Sequence, residues 1–340
     1  MIDLSPLDRA PRVLVEAPLR PVMSERFQPT GFPDLGAAEY QLHDGTTMLL
    51  VESAQSMANR MESVCWDEAK GAPIPELDGL PYVHVDIATK GAPLATASVL
   101  EAHRINSPYV LKATHGGETF EEVFLREVGH DSAQPVERRR FLAALMKYDP
   151  GTLLHGVFMS GVGDGRMRLA RCVSAFVEAR DVVAAQSGGV KNDRINASGE
   201  TKDGFGNVPF ARTEYTAGSI TGFFNLDLRQ LRAFGLPPSA TRLLTLLALY
   251  KVARLVEDGM RLRTACDLVT SGAPRVSGPE GFALPAAAAL ADDLKDAIAR
   301  CRAEKLFADP AVTRVSFAPN ASSTKASRAK GKKEKDEAST

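Results

Sequence analysis

An apolar run at Met48-Leu49-Leu50-Val51 ends at Glu52-Ser53, and apolar residues then recur at Ala54, Met57, Met61 and Val64, three or four positions apart. The change of period predicts a short strand turning directly into an amphipathic helix, with Ser53 as its N-cap. Similar reading finds strands at Arg12–Leu19, Tyr82–Ile87, Thr152–Met159, Ala170–Val183 and Ser219–Leu228. A Leu-rich helix follows Pro237-Pro238-Ser239, runs over about 240–257 and stops at Gly259. Met260–Val269 then alternates as one strand, with Arg261 and Arg263 on one face. Helices are expected at 121–125, 135–148 and 285–307, while 95–111 fits either helix or strand.

Between these elements lie Pro- and Gly-punctuated stretches at 21–45 and 67–82. The glycine-rich turn 160–165 has neither the P-loop nor the dinucleotide-binding spacing. Two strand-helix-strand units with an antiparallel pairing implied between them predict an α+β, ferredoxin-like sheet. The expected organisation is a discontinuous palm (1–65 and 150–318), an inserted lobe (66–149), a projecting segment (187–211) and a disordered basic tail (319–340).

Composition narrows the class. The chain has 340 residues, enough for one to three domains, and its 44% hydrophobic and 24% charged content is that of a soluble globular protein. No apolar run nears the roughly 20 residues that span a bilayer, and the first residues lack a signal pattern, so a cytoplasmic protein without membrane partners is expected. Four widely spaced cysteines and six scattered histidines offer no metal-ligand spacing. They read as buried thiols and isolated rings, with no metal or cofactor. Net charge is −1, but 320–340 carries six basic against three acidic residues. Any nucleic-acid site on the body must therefore be a localised groove.

Two stretches carry candidate chemistry. On the helix after Ser53, the residues Gln55, Ser56, Asn59 and Arg60 share the face opposite the Met stripe. A helix N-terminus offers unpaired N–H groups and partial positive charge, which suit a phosphate; a capped surface helix is the plainer alternative. In 187–210, Phe205 and Phe210 interleave with Lys191, Arg194, Lys202 and Arg212. That mixture suits a projecting hairpin touching phosphates and bases, or else a mobile surface loop.

Five strings bear a family resemblance: Leu-Leu-Val-Glu-Ser-Ala-Gln-Ser-Met-Ala-Asn-Arg (49–60), Gly-Val-Lys-Asn-Asp-Arg-Ile-Asn (189–196), Gly-Phe-Gly-Asn-Val-Pro-Phe (204–210), Phe-Asn-Leu-Asp-Leu (224–228) and Leu-Arg-Thr-Ala-Cys-Asp-Leu (262–268). Together they resemble the backbone subunit of the type I-G (formerly I-U) CRISPR Cascade complex, a member of the RAMP superfamily with an RRM-like palm, over roughly 12–270. The resemblance implies copies polymerising head to tail along a guide RNA in a helical ribonucleoprotein for antiviral defence. The guide's bases would be left to pair with target DNA, and other Cascade subunits would complete the complex. Related subunits place a Ser-Gln-Ser stretch and basic residues of the first palm helix against guide phosphates. Here Ser53, Gln55, Ser56 and Arg60 match, with Asn59 where a basic residue is often found. Lys191, Asn192, Arg194, Lys202, Arg261 and Arg263 complete the RNA-binding candidates, and Phe205, Val208 and Phe210 are the candidate thumb wedge.

No catalytic constellation is expected. Asp164, Asp193 and His115 sit in suggestive positions without a partnering base, metal pair or nucleophile. The rival readings are a metabolic α/β enzyme with 187–211 as a lid and a general single-strand RNA-binding protein. For the tail, a fluctuating nucleic-acid contact competes with a solvated extension.

Overall fold

Alternation decides the main sheet. In strand β1 (Arg12–Pro21), Val13, Val15, Ala17 and Leu19 are buried while their neighbours are half-buried or exposed, as a one-sided strand requires. The computed structural model describes residues 2–319 except 33, 160, 161, 163–166, 197 and 204. Strand β2 (Thr47–Glu52) runs into helix α1 (Ala54–Ser63). Next come strand β3 (Tyr82–Ile87) and helices α2 (Phe120–Val128), α3 (Arg138–Tyr148) and α4 (Pro150–His155). Strands β4 (Val173–Arg180), β5 (Val183–Lys191), β6 (Val208–Thr216) and β7 (Ser219–Asp227) follow. The chain continues through α5 (Pro238–Asp258), β8 (Met260–Arg263), β9 (Cys266–Thr270), α6 (Ala287–Ala303) and β10 (Val312–Phe317). The fold is mixed α+β.

Eight strands form the main sheet, in the order β8-β9-β1-β7-β4-β2 and then Glu39–Gln41, with Arg275–Gly278 also pairing β1. All its pairings are antiparallel. The path β1, α1, β4, β7, α5, β9 therefore yields the spatial order fourth, first, third, second. Helix α5 is buried along most of its length, Leu243 to Leu249 without a break, which fits its nearly all-round apolar sequence.

Two expected strands take another form. The stretch Thr152–Met159 is mostly helix α4, followed by a two-residue strand, Val157–Phe158. Asp149 caps the helix by accepting from Thr152 N at 3.2 Å, Pro150 occupies its first turn and all six residues are buried. A buried helix and a buried strand carry the same continuous apolar pattern. Met260–Val269 is a hairpin, β8 and β9, turned at Thr264 and Ala265 with a register shift after Arg261, and Arg261 and Arg263 alternate with buried Met260 and Leu262.

Residues 66–149 supply most of a second sheet whose central pair is β3 and β10, parallel from Val312↔Tyr82 to Phe317↔Ile87. The end of the stretch 150–318, expected with the main sheet, thus pairs in the second one. No local pattern could assign it, because its partner lies some 230 residues earlier.

A buried charge cluster joins helices α1, α4 and α5 to Arg104 of the stretch 66–149. Lys251 Nζ on α5 donates to Glu62 Oε2 on α1 at 2.8 Å and to His155 Nε2 on α4 at 3.1 Å, and Arg104 Nε stands 3.7 Å from Glu62 Oε1. All four side chains are buried, and mutual pairing offsets what isolated charges there would cost. The four cysteines are free and buried. No helix among the described residues is long and apolar enough to cross a membrane.

Candidate nucleic-acid interface

The turn from β2 into α1 forms as its sequence predicts. Ser53 is extended (φ −79°, ψ 159°) and its side chain accepts from Ser56 N at 3.3 Å, satisfying one of the helix's orphan donors. Met57 and Met61 are fully buried, while Gln55 and Asn59 are exposed and Ser56 half-buried. The polar patch is real, with one exception.

Arg60 turns away from it. Its Nη1 donates to Arg261 O at 3.1 Å, and its Nη2 donates to Leu262 O at 2.6 Å and pairs with Glu52 Oε2 at 3.1 Å. Arg263 reaches the same oxygen at 2.7 Å and donates through Nη1 to Gln28 O and Val51 O. Glu52, only 2% exposed, is therefore the hub that pins β2 and α1 to β8. The expectation that Arg60 and Arg263 present open guanidiniums to phosphate is corrected: both are spent on carbonyls and a shared carboxylate, since a buried carboxylate needs cationic partners. Two cations against one anion still leave net positive charge. Arg261, on the same hairpin, is exposed and contributes its carbonyl to Arg60.

The segment 187–211 is regular at both ends. β5 and β6 pair over nine positions, from Val183↔Thr216 to Lys191↔Val208, so the expected irregular loop shrinks to a tip at 192–207. Asp193 organises that tip. Its carboxylate accepts from Ile195 N, Asn196 N and Gly206 N at 2.8–2.9 Å, and its own N–H donates to Asn207 Oδ1 at 2.8 Å. Those backbone donors hold its acid group below the ordinary aspartate range. Lys191, Asn192, Arg194 and Lys202 are exposed there. So are the apolar Phe205, Val208 and Phe210, at 53%, 37% and 41%, and Ile195 at 97%. Arg212, lower on β6, is held by Glu214 at 2.5 Å.

A cleft of about 690 Å³ lies at the hairpin base, with Arg212, Tyr215, Arg263, Gln28 and Glu39 among its walls. The structure thus gathers Ser53, Gln55, Ser56, Arg60, Arg261 and Arg263 around Glu52, and it sets Lys191, Asn192, Arg194, Lys202, Phe205, Val208 and Phe210 on the outer hairpin. Glu52 is not legible as a site residue from sequence, because its partner Arg263 is 211 positions away. His115 Nδ1 contacts Arg314 O at 2.9 Å within the second sheet, apart from both groups. Asp164 and the tail 320–340 lie outside the described residues. Among the described residues no cluster of three or more His, Cys, Asp or Glu side chains is arranged for a metal.

Residues 13–184 match the model of the family described as CRISPR-associated protein GSU0053. No curated protein matches the chain. Among solved structures, a chain of a CRISPR RNA-guided surveillance complex, pre-nicking, aligns at 12% identity with a TM-score of 0.40, covering 86% of this chain and 89% of that one. The crystal structure of Thermofilum pendens Csc2 aligns at 13% identity with a TM-score of 0.29, covering 89% and 80%.

Proposed function

The chain belongs to the CRISPR-associated protein GSU0053 family, and from that premise we propose that it is a non-catalytic backbone subunit of a type I-G Cascade complex, polymerising head to tail along a guide RNA. One observation carries this reading: Glu52 ties the capped N-terminus of α1, with exposed Gln55 and half-buried Ser56, to Arg263, and Arg263 lines a cleft with Arg212 and Tyr215 at the base of a cationic, aromatic hairpin. A protein that holds any guide sequence needs phosphate contacts and sequence-tolerant apolar surfaces. The first group supplies backbone N–H, amide and hydroxyl partners. The second supplies Lys191, Arg194 and Lys202 for charge, with Phe205, Val208 and Phe210 as the wedge.

In this reading the main sheet with α1 and α5 is the ferredoxin-like, RRM-like palm, as its strand order favours. The β5–β6 hairpin is the thumb, and the guide presents its bases to target DNA in the cytoplasm. Asp193 serves the tip's geometry. An association that repeats without closing gives an open filament whose length the RNA sets.

The test is purification at low salt followed by absorbance and binding. Protein carrying short RNA, with a high 260/280 nm ratio and affinity that falls steeply with salt, is expected. The triple substitution Gln55→Ala, Ser56→Ala, Arg261→Ala should lower RNA affinity while the fold is retained. Nucleic-acid-free protein that forms a discrete oligomer and ignores RNA would return the chain to the metabolic-enzyme reading. Binding to RNA without assembly along it would favour a general single-strand binder.

A further inference from the structure

Beside the buried charge cluster a second cleft opens, of about 620 Å³, lined by His103, Arg104, His155, Phe158, Leu169 and Arg171 among others. Its size falls within the roughly 300–1,000 Å³ of small-ligand sites, and its chemistry is one-sided.

Arg104 is only 7% exposed and adopts φ +50°, a left-handed conformation that L residues take at a cost and that concentrates where ligands are gripped. Its Nε and Nη2 are buried without a hydrogen-bond partner among the described residues. The 3.7 Å to Glu62 Oε1 is too long for a hydrogen bond. His155 borders the same cluster, its Nε2 lying 3.1 Å from both Lys251 Nζ and Glu62 Oε1, so that its role as acceptor or donor follows the tautomer. Its Nδ1 is likewise buried and unpartnered among the described residues. Burial, aided by Lys251, Arg104 and Arg171, drives the ring's pKa well below the ordinary histidine value.

Arg171 adds a further cation, with Nη1 donating to Ala54 O at 3.0 Å. Burial and the neighbouring Arg104 both work against its charge. Of the two nearby carboxylates, Glu62 is shared among Lys251, His155 and Arg104, and Asp149 accepts from Thr152 through both its oxygens. Three cations, Lys251, Arg104 and Arg171, thus face two carboxylates, and the positive charge left over with the two unbonded Arg104 donors suits an oxyanion. Beside them Phe158 is 58% exposed, its strand held by Asn106 Nδ2 donating to Phe158 O at 2.9 Å. An exposed ring next to buried cations suits a nucleobase with its phosphate.

We propose that this cleft binds one nucleoside phosphate unit, its phosphate seated below the rim against Arg104 and Arg171 and its base against Phe158. The unit is either a mononucleotide or one nucleotide of a single strand. The site goes beyond guide-RNA gripping and uses none of the α1 or hairpin candidates, so either reading can fail alone.

Full-length protein freed of nucleic acid at high salt is titrated calorimetrically with uridine monophosphate, uridine, inorganic phosphate and a short single-stranded RNA. Saturable binding of the monophosphate is expected, tighter than that of uridine or phosphate. Phe158→Ala, at an exposed position, should weaken it on the order of tenfold, and Arg104→Gln more. A Phe158-dependent gain for the strand over the monophosphate assigns the site to nucleic acid, and no gain assigns it to a free nucleotide. If Arg104→Gln proves unfolded by circular dichroism, Phe158→Ala and His103→Ala decide. Absence of saturable monophosphate binding, or binding indifferent to Phe158→Ala, overturns the proposal.

Discussion

The α1 end and the β5–β6 hairpin carry similar residue types and use them in opposite ways. Around Glu52, the guanidiniums of Arg60 and Arg263 are turned inward onto carbonyls and one carboxylate. On the hairpin, Lys191, Arg194 and Lys202 stand in solvent, and Asp193 ties the tip together. The contrast separates arginines that build a surface from cations that are offered by one. Counting basic residues along the sequence cannot tell these apart; their partners can.

The contrast breaks first at Glu52. Glu52→Ala leaves Arg60 and Arg263 without their shared carboxylate and should cost about 3–5 kcal/mol of stability, read by urea titration. A loss below about 1 kcal/mol would mean that the pair is held by carbonyls alone.

Asp149 extends the comparison to the buried charge cluster. Burial, with Glu62 nearby, raises its pKa to about 6 from an ordinary 3.8. The folded state therefore binds a proton that the unfolded state has released between these values, so this group's contribution falls as pH rises through 6. His155 runs the other way, because its folded pKa is lowered and the unfolded ring takes up protons below about 6.5. The difference between wild type and Asp149→Asn isolates the first effect. The variant should gain relative stability from pH 4 to pH 7, by up to about 3 kcal/mol, and a pH-independent difference would refute the shift.

Ser53→Ala removes one cap and should cost about 1 kcal/mol, while Ser53→Gly costs only a few tenths. Smallest in stability is the triple Lys191→Ala, Arg194→Ala, Lys202→Ala, which should stay within about 0.5 kcal/mol of wild type. The same variant should lower the log–log salt slope of RNA binding by roughly 2, near 0.7 for each single-strand phosphate that is no longer neutralised. An unchanged slope would remove the hairpin from the interface.

What can be read in advance follows the range of the interactions. The Ser53 cap, the Met57 and Met61 stripe, the strand at Tyr82–Ile87 and the long helix ending at Gly259 depend on neighbours within a few residues, and they form as expected. The nine-position hairpin is legible in its projection but not in its length, because exposed Gly- and Ser-containing strands have little period. Thr152–Met159 reads as a strand and folds mostly as a helix because burial on all sides erases the difference between periods of 2 and 3.6. In the sequence Glu52 is visible only as the last residue of an apolar run. Its role, like that of Arg104, comes from partners brought together by the tertiary fold.

The parallel pairing of β10 with β3 also bears on how the molecule is made. One central strand of the second sheet emerges from the ribosome some 230 residues after the strand it completes, when every strand of the main sheet has already been synthesised. Until then β3 lacks its partner on one side, an open edge of the kind that invites wrong pairing. Closing so long a loop is slow compared with forming α2 or α3. The second sheet should therefore be the last part of a nascent chain to resist a protease, although most of its residues are made before β4, β7 and α5.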